Sequence, residues 1–295
     1  MTAVERPLVV GEVLFDVMPD GTRVLGGAPF NVAWHLEAFG LRPLIITRLG
    51  ADDPADEVFE AMEEWGMDTS GVQRDTTYPT GRVQVELKHG EPTFRILADQ
   101  AYDHLDDDFA SKSVAGKDFS LLYHGSLISR ADASRSALDR IRRDVDVPVF
   151  VDVNLRDPWW NHEDVAEIVQ SATWVKLNEV ELNLLAGAAD IVAVDSYRRE
   201  NNLDAVILTR GHRGALVVNN EGSFESAPPG DPQVIDTVGA GDAFSAVCIL
   251  GLTHGWSTDL TLERALDFAA AMCTVSGATV LDRRFYSRFE ARGWW

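Results

Sequence analysis

Short apolar segments with strand character alternate with segments of helical periodicity along most of the chain, and this alternation restricts the fold more than any other feature. The strand-like segments are 7–15, 44–49, 121–125, 147–153, 173–177 and 205–208. Between such segments apolar residues recur at helical spacing, as Val32, Leu36 and Phe39 do before Gly40. The pattern predicts an α/β fold, and 295 residues are enough to bury a large core.

The segment 80–97 departs from this alternation. Its apolar residues alternate with polar ones on both sides of a turn at 89–92, which predicts an antiparallel β-hairpin. The alternating apolar residues are Val83, Val85, Leu87, Phe94 and Ile96. Two placements fit this pattern: a small sheet or lid beside the main domain, or an edge of the central sheet.

The charge balance argues against several classes of partner. The chain has 26 Lys and Arg against 47 Asp and Glu, a formal net charge of −21, which opposes binding to nucleic acid or to an anionic membrane surface. No segment reaches the roughly 20 apolar residues of a membrane span, and no leader peptide is visible, so we expect a cytoplasmic protein. Cys248 and Cys273 lie in apolar helical segments, as buried cysteines do, rather than in a disulfide or metal pattern.

A glycine-rich turn precedes the longest apolar helical segment near the carboxyl terminus. Gly239, Ala240 and Gly241 are small enough for backbone N–H groups to approach an anion, and Asp242 follows them. The apolar run 243–252 then predicts a helix. Taken alone, the turn fits either a phosphate-binding loop with a carboxylate beside it or a helix start at which Asp242 complements the helix dipole.

Polar residues also follow three predicted strands. Asp16 follows the segment 7–15, and ligands of open α/β sheets bind at the carboxyl ends of strands. Asn178 and Glu181 follow 173–177 and share a helix face, so they could hold a hydrated Mg²⁺ or form a capping box. A glycine turn at 209–214 follows 205–208, and the chain contains no Gly-Lys-Ser or Gly-Lys-Thr phosphate loop.

Four motifs, in their order and spacing, resemble those of the ribokinase-like carbohydrate kinases, the phosphofructokinase-B type. They are the segments 26–33, 178–181, 209–214 and 236–244, and the likeness extends over essentially the whole chain. The resemblance implies a three-layer α/β/α sandwich with a mainly parallel central sheet. It also implies that residues 1–295 form a single kinase domain with a small β lid made by segments 17–25 and 80–100, through which family members often form homodimers.

The resemblance implies the roles of the catalytic and nucleotide residues. Asp242 matches the general base that accepts a proton from the sugar hydroxyl. Gly239, Ala240 and Gly241 match the backbone anion hole for the transferring phosphoryl group. The remaining matches are Lys176, Asn178, Thr209, Gly211 and Gly214 for ATP, Asn178 and Glu181 for Mg²⁺ bound through water, and the backbone carbonyls of Asp236 and Val238 for a monovalent cation such as K⁺.

On the sugar side, Asp16, Gly26, Gly27 and Asn31 match positions that bind sugar hydroxyls. Segments 100–103, 152–156 and 176–179 resemble the fructokinase branch. This likeness adds three candidates for sugar or phosphate contacts: Arg156, Phe94 and Tyr102. The alternative role of each is ordinary packing or surface pairing. We therefore expect ATP-dependent phosphorylation of a primary hydroxyl of fructose. The alternatives are a kinase for ribose, 2-keto-3-deoxygluconate or adenosine, and a catalytically silent sugar-binding regulator.

Overall fold

The computed structural model describes residues 5–88, 91–230 and 233–295. The strands are β1 (Arg6–Val10), β2 (Leu14–Val17), β3 (Arg23–Gly26), β4 (Leu44–Gly50), β5 (Val72–Asp75), β6 (Gly81–Lys88), β7 (Glu91–Ile96), β8 (Phe119–Gly125), β9 (Val149–Asp152), β10 (Trp174–Asn178), β11 (Ala205–Thr209), β12 (Ala215–Asn219) and β13 (Gly222–Ser226). The α-helices are α1 (Ala28–Ala38), α2 (Asp53–Trp65), α3 (Asp107–Val114), α4 (Asp132–Val145), α5 (His162–Gln170), α6 (Glu179–Ala186), α7 (Ile191–Glu200), α8 (Ala240–His254), α9 (Thr258–Met272) and α10 (Arg283–Glu290).

Within the described residues, nine strands form the central sheet in the order β13-β12-β11-β10-β9-β8-β1-β4-β5. All neighbouring strands from β11 to β5 pair in parallel, whereas β12 and β13 add an antiparallel edge. Helical connections between strands favour this parallel pairing. The predicted α/β class with a mainly parallel sheet is confirmed.

The helices pack on both faces of the central sheet, and one hydrophobic core lies between the sheet and the helices on each face. Because successive strand residues point to opposite faces, Val9 belongs to one core while Leu8 and Val10 belong to the other. Helices α1, α2, α8, α9 and α10 contribute buried residues to the first core, and α3 to α7 contribute to the second. The molecule therefore has the three layers of an α/β/α sandwich.

A second sheet, with four strands in the described part of the chain, has the order β3-β2-β6-β7. The hairpin predicted at 80–97 forms β6 and β7 of this sheet, so it is not an edge of the central sheet. Residues 89 and 90 of the predicted turn lie outside the described residues. The strands of the second sheet overlap the predicted lid segments 17–25 and 80–100, but a lid function stays a prediction.

The segment 7–15 is not one strand, and this prediction was wrong. β1 ends at Val10, and β2 begins at Leu14 in the second sheet. The break occurs at Gly11, whose φ is 154° and where an added Cβ would lie 2.4 Å from Cγ of Pro29. As a result Asp16 lies on the second sheet, and Glu12 occupies the crossing between the two sheets.

The two cysteines are free, with Cys248 buried in α8 and Cys273 half-buried after α9. None of the helices in the described ranges is long and apolar enough to cross a membrane.

Candidate active site

A cleft of about 760 Å³ lies between the carboxyl ends of the central strands and the second sheet. Asp152, Asn178 and Thr209 reach it from the ends of β9, β10 and β11, as expected for a ligand site of an open α/β sheet. The cleft brings most predicted site residues together. Those that line it are Asp16, Gly27, Asn31, Phe94, Arg156, Lys176, Asn178, Glu181, Thr209, Val238, Gly239, Gly241 and Asp242.

Asp242 lies in the first turn of α8, where a side chain of α1 holds it. Nδ2 of Asn31 donates a hydrogen bond to Oδ2 of Asp242 over 2.8 Å. Burial raises the pKa of Asp242 to about 6, the hydrogen bond from Asn31 opposes this rise, and the nearby Asp152 carboxylate adds to it. A carboxylate with this pKa is largely ionised at neutral pH and can accept a proton from a bound hydroxyl group.

Close packing of the loop before Asp242 requires glycine at position 239. Gly239 has a φ of 77°, and a Cβ at this position would lie 2.4 Å from Cα of Ala278. Ala240 is the first residue of α8, and the N–H of Ala243 donates to the carbonyl of Gly239 over 2.8 Å. The loop thus brings a helix N-terminus to the cleft, and helix N-termini favour anions.

Lys176 supplies a positive charge next to this loop. Its Nζ lies 2.6 Å from Oδ2 of Asp152, which also accepts a hydrogen bond from Oγ of Ser245 over 2.8 Å. Burial alone would lower the pKa of Lys176, but the Asp152 carboxylate raises it above the ordinary value, so the ammonium group stays charged. A Cβ at Gly241 would lie 3.5 Å from this Nζ, which places the charge beside the glycine loop.

Asn178 and Glu181 form the capping box that the sequence left as an alternative. Oδ1 of Asn178 accepts from the N–H of Glu181 over 2.9 Å, and Oε2 of Glu181 accepts from the N–H of Asn178 over 2.8 Å. Oε1 of Glu181 accepts from the N–H of Leu155 over 2.9 Å. The described residues contain no cluster of three or more His, Cys, Asp or Glu side chains suited to a metal ion. The carboxylate keeps lone pairs for a hydrated ion, since each oxygen has more than one acceptor site.

Other predicted residues of the sugar side lie on the second sheet and on the loop before α1. A Cβ at Gly27, whose φ is 110°, would lie 2.5 Å from the carbonyl oxygen of Glu12, so the position requires glycine. Burial raises the pKa of Asp16, and the nearby Arg156 opposes the rise. Arg156 is exposed, and Phe94 is 52% exposed, so both are accessible at the open side of the cleft.

Tyr102 does not line the cleft, contrary to its predicted place in the sugar pocket. It is only 1% exposed and packs with Leu14, Val83 and Leu127 beneath the second sheet. Its hydroxyl accepts a hydrogen bond from Nη2 of Arg130 over 2.9 Å, which fixes the ring there. Tyr102 is therefore a support of the cleft wall rather than part of its surface.

Five further predicted residues lie outside the cleft lining: Gly26, Gly211, Gly214, Asp236 and Ala240. Gly26 ends β3, and Gly211 begins the exposed turn between β11 and β12. A Cβ at Gly214 would lie 1.9 Å from the carbonyl oxygen of Ser226, so β13 excludes a side chain there. The Asp236 carboxylate accepts from the N–H groups of Val238 and Gly277 and shapes the loop before α8. Their ligand contacts stay predictions.

Glu12 lines the cleft, although it lies outside the motifs that indicated the other site residues. It is 5% exposed, and burial raises its pKa to about 7. The available signal was a single charged residue after a glycine inside an otherwise apolar segment, since such a residue is rarely buried without a function.

A profile of pfkB family carbohydrate kinases matches residues 11–283. The chain belongs to this family. A fructokinase from Klebsiella pneumoniae is 29% identical over 92% of each chain, and an aminoimidazole riboside kinase from Salmonella typhimurium is 27% identical over 89% of this chain and 86% of its own. A fructokinase structure from Vibrio cholerae superposes with a TM-score of 0.81 at 24% identity, over 96% of this chain and 98% of its own. The resemblance inferred from the four motifs is confirmed.

Proposed function

We propose that this pfkB family sugar kinase transfers the γ-phosphoryl group of ATP to a primary hydroxyl of free fructose. The observation that carries the proposal is the placement of Asp242: it faces the cleft from the N-terminus of α8, hydrogen-bonded to Asn31 of the other glycine motif. Fructokinases among the relatives support fructose as the acceptor. The Vibrio cholerae fructokinase of the same fold binds fructose, ADP and a potassium ion.

In the proposed reaction Asp242 accepts the proton of the acceptor hydroxyl as that oxygen attacks the γ-phosphorus of ATP. The N–H groups of Gly239, Ala240 and Gly241 and the Lys176 ammonium group stabilise the negative charge of the transferring group. Asp152 positions Lys176 by its ion pair. The bond from γ-phosphorus to the bridging oxygen breaks, and ADP and the sugar phosphate leave.

The remaining predicted residues orient the two substrates. Asp16, Gly27 and Asn31 bind sugar hydroxyls, with Phe94 and Arg156 at the open side, while Thr209 and the 209–214 turn contact ATP. Asn178 and Glu181 would hold Mg²⁺ bound with ATP, through water, and the ion would supply positive charge to the phosphates. The carbonyl groups of Asp236 and Val238 are proposed to hold K⁺.

Closure of the second sheet over the cleft would exclude water and limit ATP hydrolysis. We further propose that two chains pair through this sheet.

A coupled assay with MgATP over a panel of acceptors tests the proposal. The panel contains fructose, ribose, 2-keto-3-deoxygluconate, adenosine and aminoimidazole riboside, the last because of the Salmonella relative. We expect kcat/KM for fructose to exceed the others by about tenfold or more, a difference of about 1.4 kcal/mol in transition-state binding. A higher value for another acceptor would overturn the choice of fructose, and sugar binding without turnover of any acceptor would favour a silent regulator.

A further inference from the structure

Glu12 is a buried carboxylate in the cleft lining, and the proposed reaction gives it no role. It lies between β1 and β2, where the chain crosses from the central sheet to the second sheet. Its side chain lines the cleft together with Asp16 and Asp242. Its carbonyl oxygen lies against Gly27, so the backbone of this residue is fixed relative to the glycine motif of the sugar side.

The Glu12 carboxylate lacks the partners that buried carboxylates normally have. Among the described residues, Oε2 of Glu12 has no hydrogen-bond partner, and no basic side chain lies within ion-pair distance. The two positive charges that act on Glu12 are Arg156, which lines the same cleft, and more weakly Arg130, which is paired with Asp103 at 2.6 Å. Leaving such a group unpaired costs free energy, because its desolvation is not compensated by a hydrogen bond. A structural role alone does not account for this cost, because the carboxylate supports no neighbouring group through Oε2.

A second buried acceptor without a partner in the described structure belongs to Asn31, another residue of the cleft lining. Oδ1 of Asn31 is buried and has no hydrogen-bond partner in the described part of the chain, while Nδ2 of the same side chain is used by Asp242. Both unpaired atoms are acceptors, so they are satisfied by a ligand that donates hydrogen bonds. Both residues line the cleft, so a ligand bound there is the partner within reach. Hydroxyl groups of a sugar are donors of this kind.

We propose that Glu12 binds the acceptor substrate, its carboxylate accepting a hydrogen bond from a sugar hydroxyl other than the one phosphorylated. This inference rests on the proposed function as a sugar kinase. It adds a specificity-determining residue to the sugar side: an analogue that lacks the hydroxyl leaves the Glu12 carboxylate unpaired and is selected against. The ionised carboxylate accepts through both oxygens, and a hydrogen bond donated by the sugar hydroxyl favours that form.

The test compares Glu12→Gln with wild type and with Glu64→Gln, an exposed carboxylate on α2 that serves as a matched control. Glutamine keeps the volume of the side chain but replaces one acceptor oxygen with a donor. We expect kcat/KM for the best acceptor of the panel to fall by about tenfold or more in Glu12→Gln, with KM for MgATP changed by less than about twofold. Calorimetric titration of the sugar without ATP should show the same loss, whereas Glu64→Gln should match wild type.

Deoxy analogues of the same sugar distinguish binding from a structural effect. The loss caused by Glu12→Gln should shrink to about twofold or less for one analogue, the one that lacks the paired hydroxyl, and persist for the others. Equal losses for all analogues, or no loss in kcat/KM and sugar affinity, would overturn the proposal. If Glu12→Gln does not fold, Glu12→Asp is compared with wild type instead. Aspartate keeps the charge, but its shorter side chain moves the carboxylate away from the sugar. If wild type phosphorylates no acceptor, the kinase proposal is refuted. The role of Glu12 is then still tested, because calorimetric titration measures sugar binding without turnover.

Discussion

Asn31 and Asp242 are 211 positions apart in the chain, and the hydrogen bond between them joins the two glycine motifs at one point of the cleft. Asn31 is 5% exposed on α1, and Asp242 lies in the first turn of α8. The bond orients the carboxylate and favours its ionised form, which opposes the effect of burial on the pKa of Asp242. The proposed general base therefore depends on a residue from the sugar side.

The substitution Asn31→Ala tests this dependence. Loss of the donated hydrogen bond should raise the pKa of Asp242 above its value of about 6, because burial then acts with less opposition. The base form exists above the pKa, so the acidic limb of the kcat/KM profile should move to higher pH. A pH–rate profile from pH 5 to 9 measures the shift. A uniform fall in kcat/KM at every pH would indicate lost sugar contacts only.

Asp242→Asn tests the assignment of the base itself. Asparagine preserves the shape and the position beside Asn31 but cannot accept the proton, so kcat should fall by about 10²-fold to 10⁴-fold. Sugar affinity, measured by titration, should change far less. Exposed Asp53→Asn, which lies in the first turn of α2, serves as the control. Turnover within about tenfold of wild type would contradict the assignment.

The fold was predictable because its signals are local and periodic. The strand and helix patterns predicted the α/β class, the family resemblance implied the mainly parallel central sheet, and alternation at 80–97 predicted the hairpin. The point at which 7–15 divides was not predictable in this way, because Gly11 and Glu12 interrupt the apolar run only briefly and nothing local shows that Gly11 must fit against Pro29. The chain therefore changes sheets between two short apolar segments.

The residues of the cleft were predictable where they belong to the glycine motifs, and less predictable outside those motifs. Asp242 and Asn31 lie in such motifs, and the structure brings them together. Tyr102 was predicted on the cleft surface but lies behind it. An aromatic residue close to a ligand site can take either position, and the hydrogen bond from Arg130, which holds Tyr102 behind the surface, is a tertiary contact. Glu12 was missed because its burial depends on the crossing between two sheets, which is a tertiary feature.

The Lys176–Asp152 pair predicts a marked difference between single and double substitutions. Lys176→Met leaves Asp152, which is 2% exposed, as an unpaired buried charge, and breaking such a pair costs about 3–5 kcal/mol. The double substitution Lys176→Met with Asp152→Asn should recover a large part of this stability. Both variants should have a raised KM for MgATP, because both lack the ammonium group beside the glycine loop. Urea unfolding and steady-state kinetics measure the two effects, and equal stability of the single and double variants would contradict a buried charged pair.

The buried Glu12 carboxylate predicts a stability difference that depends on pH. The pKa of Glu12 is about 7 in the folded chain against an ordinary 4.5, so between these values the folded state binds more protons than the unfolded state. The free energy of unfolding of wild type therefore falls as pH rises through this window, and the full cost, on the order of 3 kcal/mol, is present above it. Glu12→Gln does not titrate, so its stability relative to wild type should increase from pH 5 to pH 8. Urea unfolding at both pH values measures the change, with Glu64→Gln as control. A difference between Glu12→Gln and wild type that is the same at both pH values would show that Glu12 titrates as an ordinary exposed carboxylate.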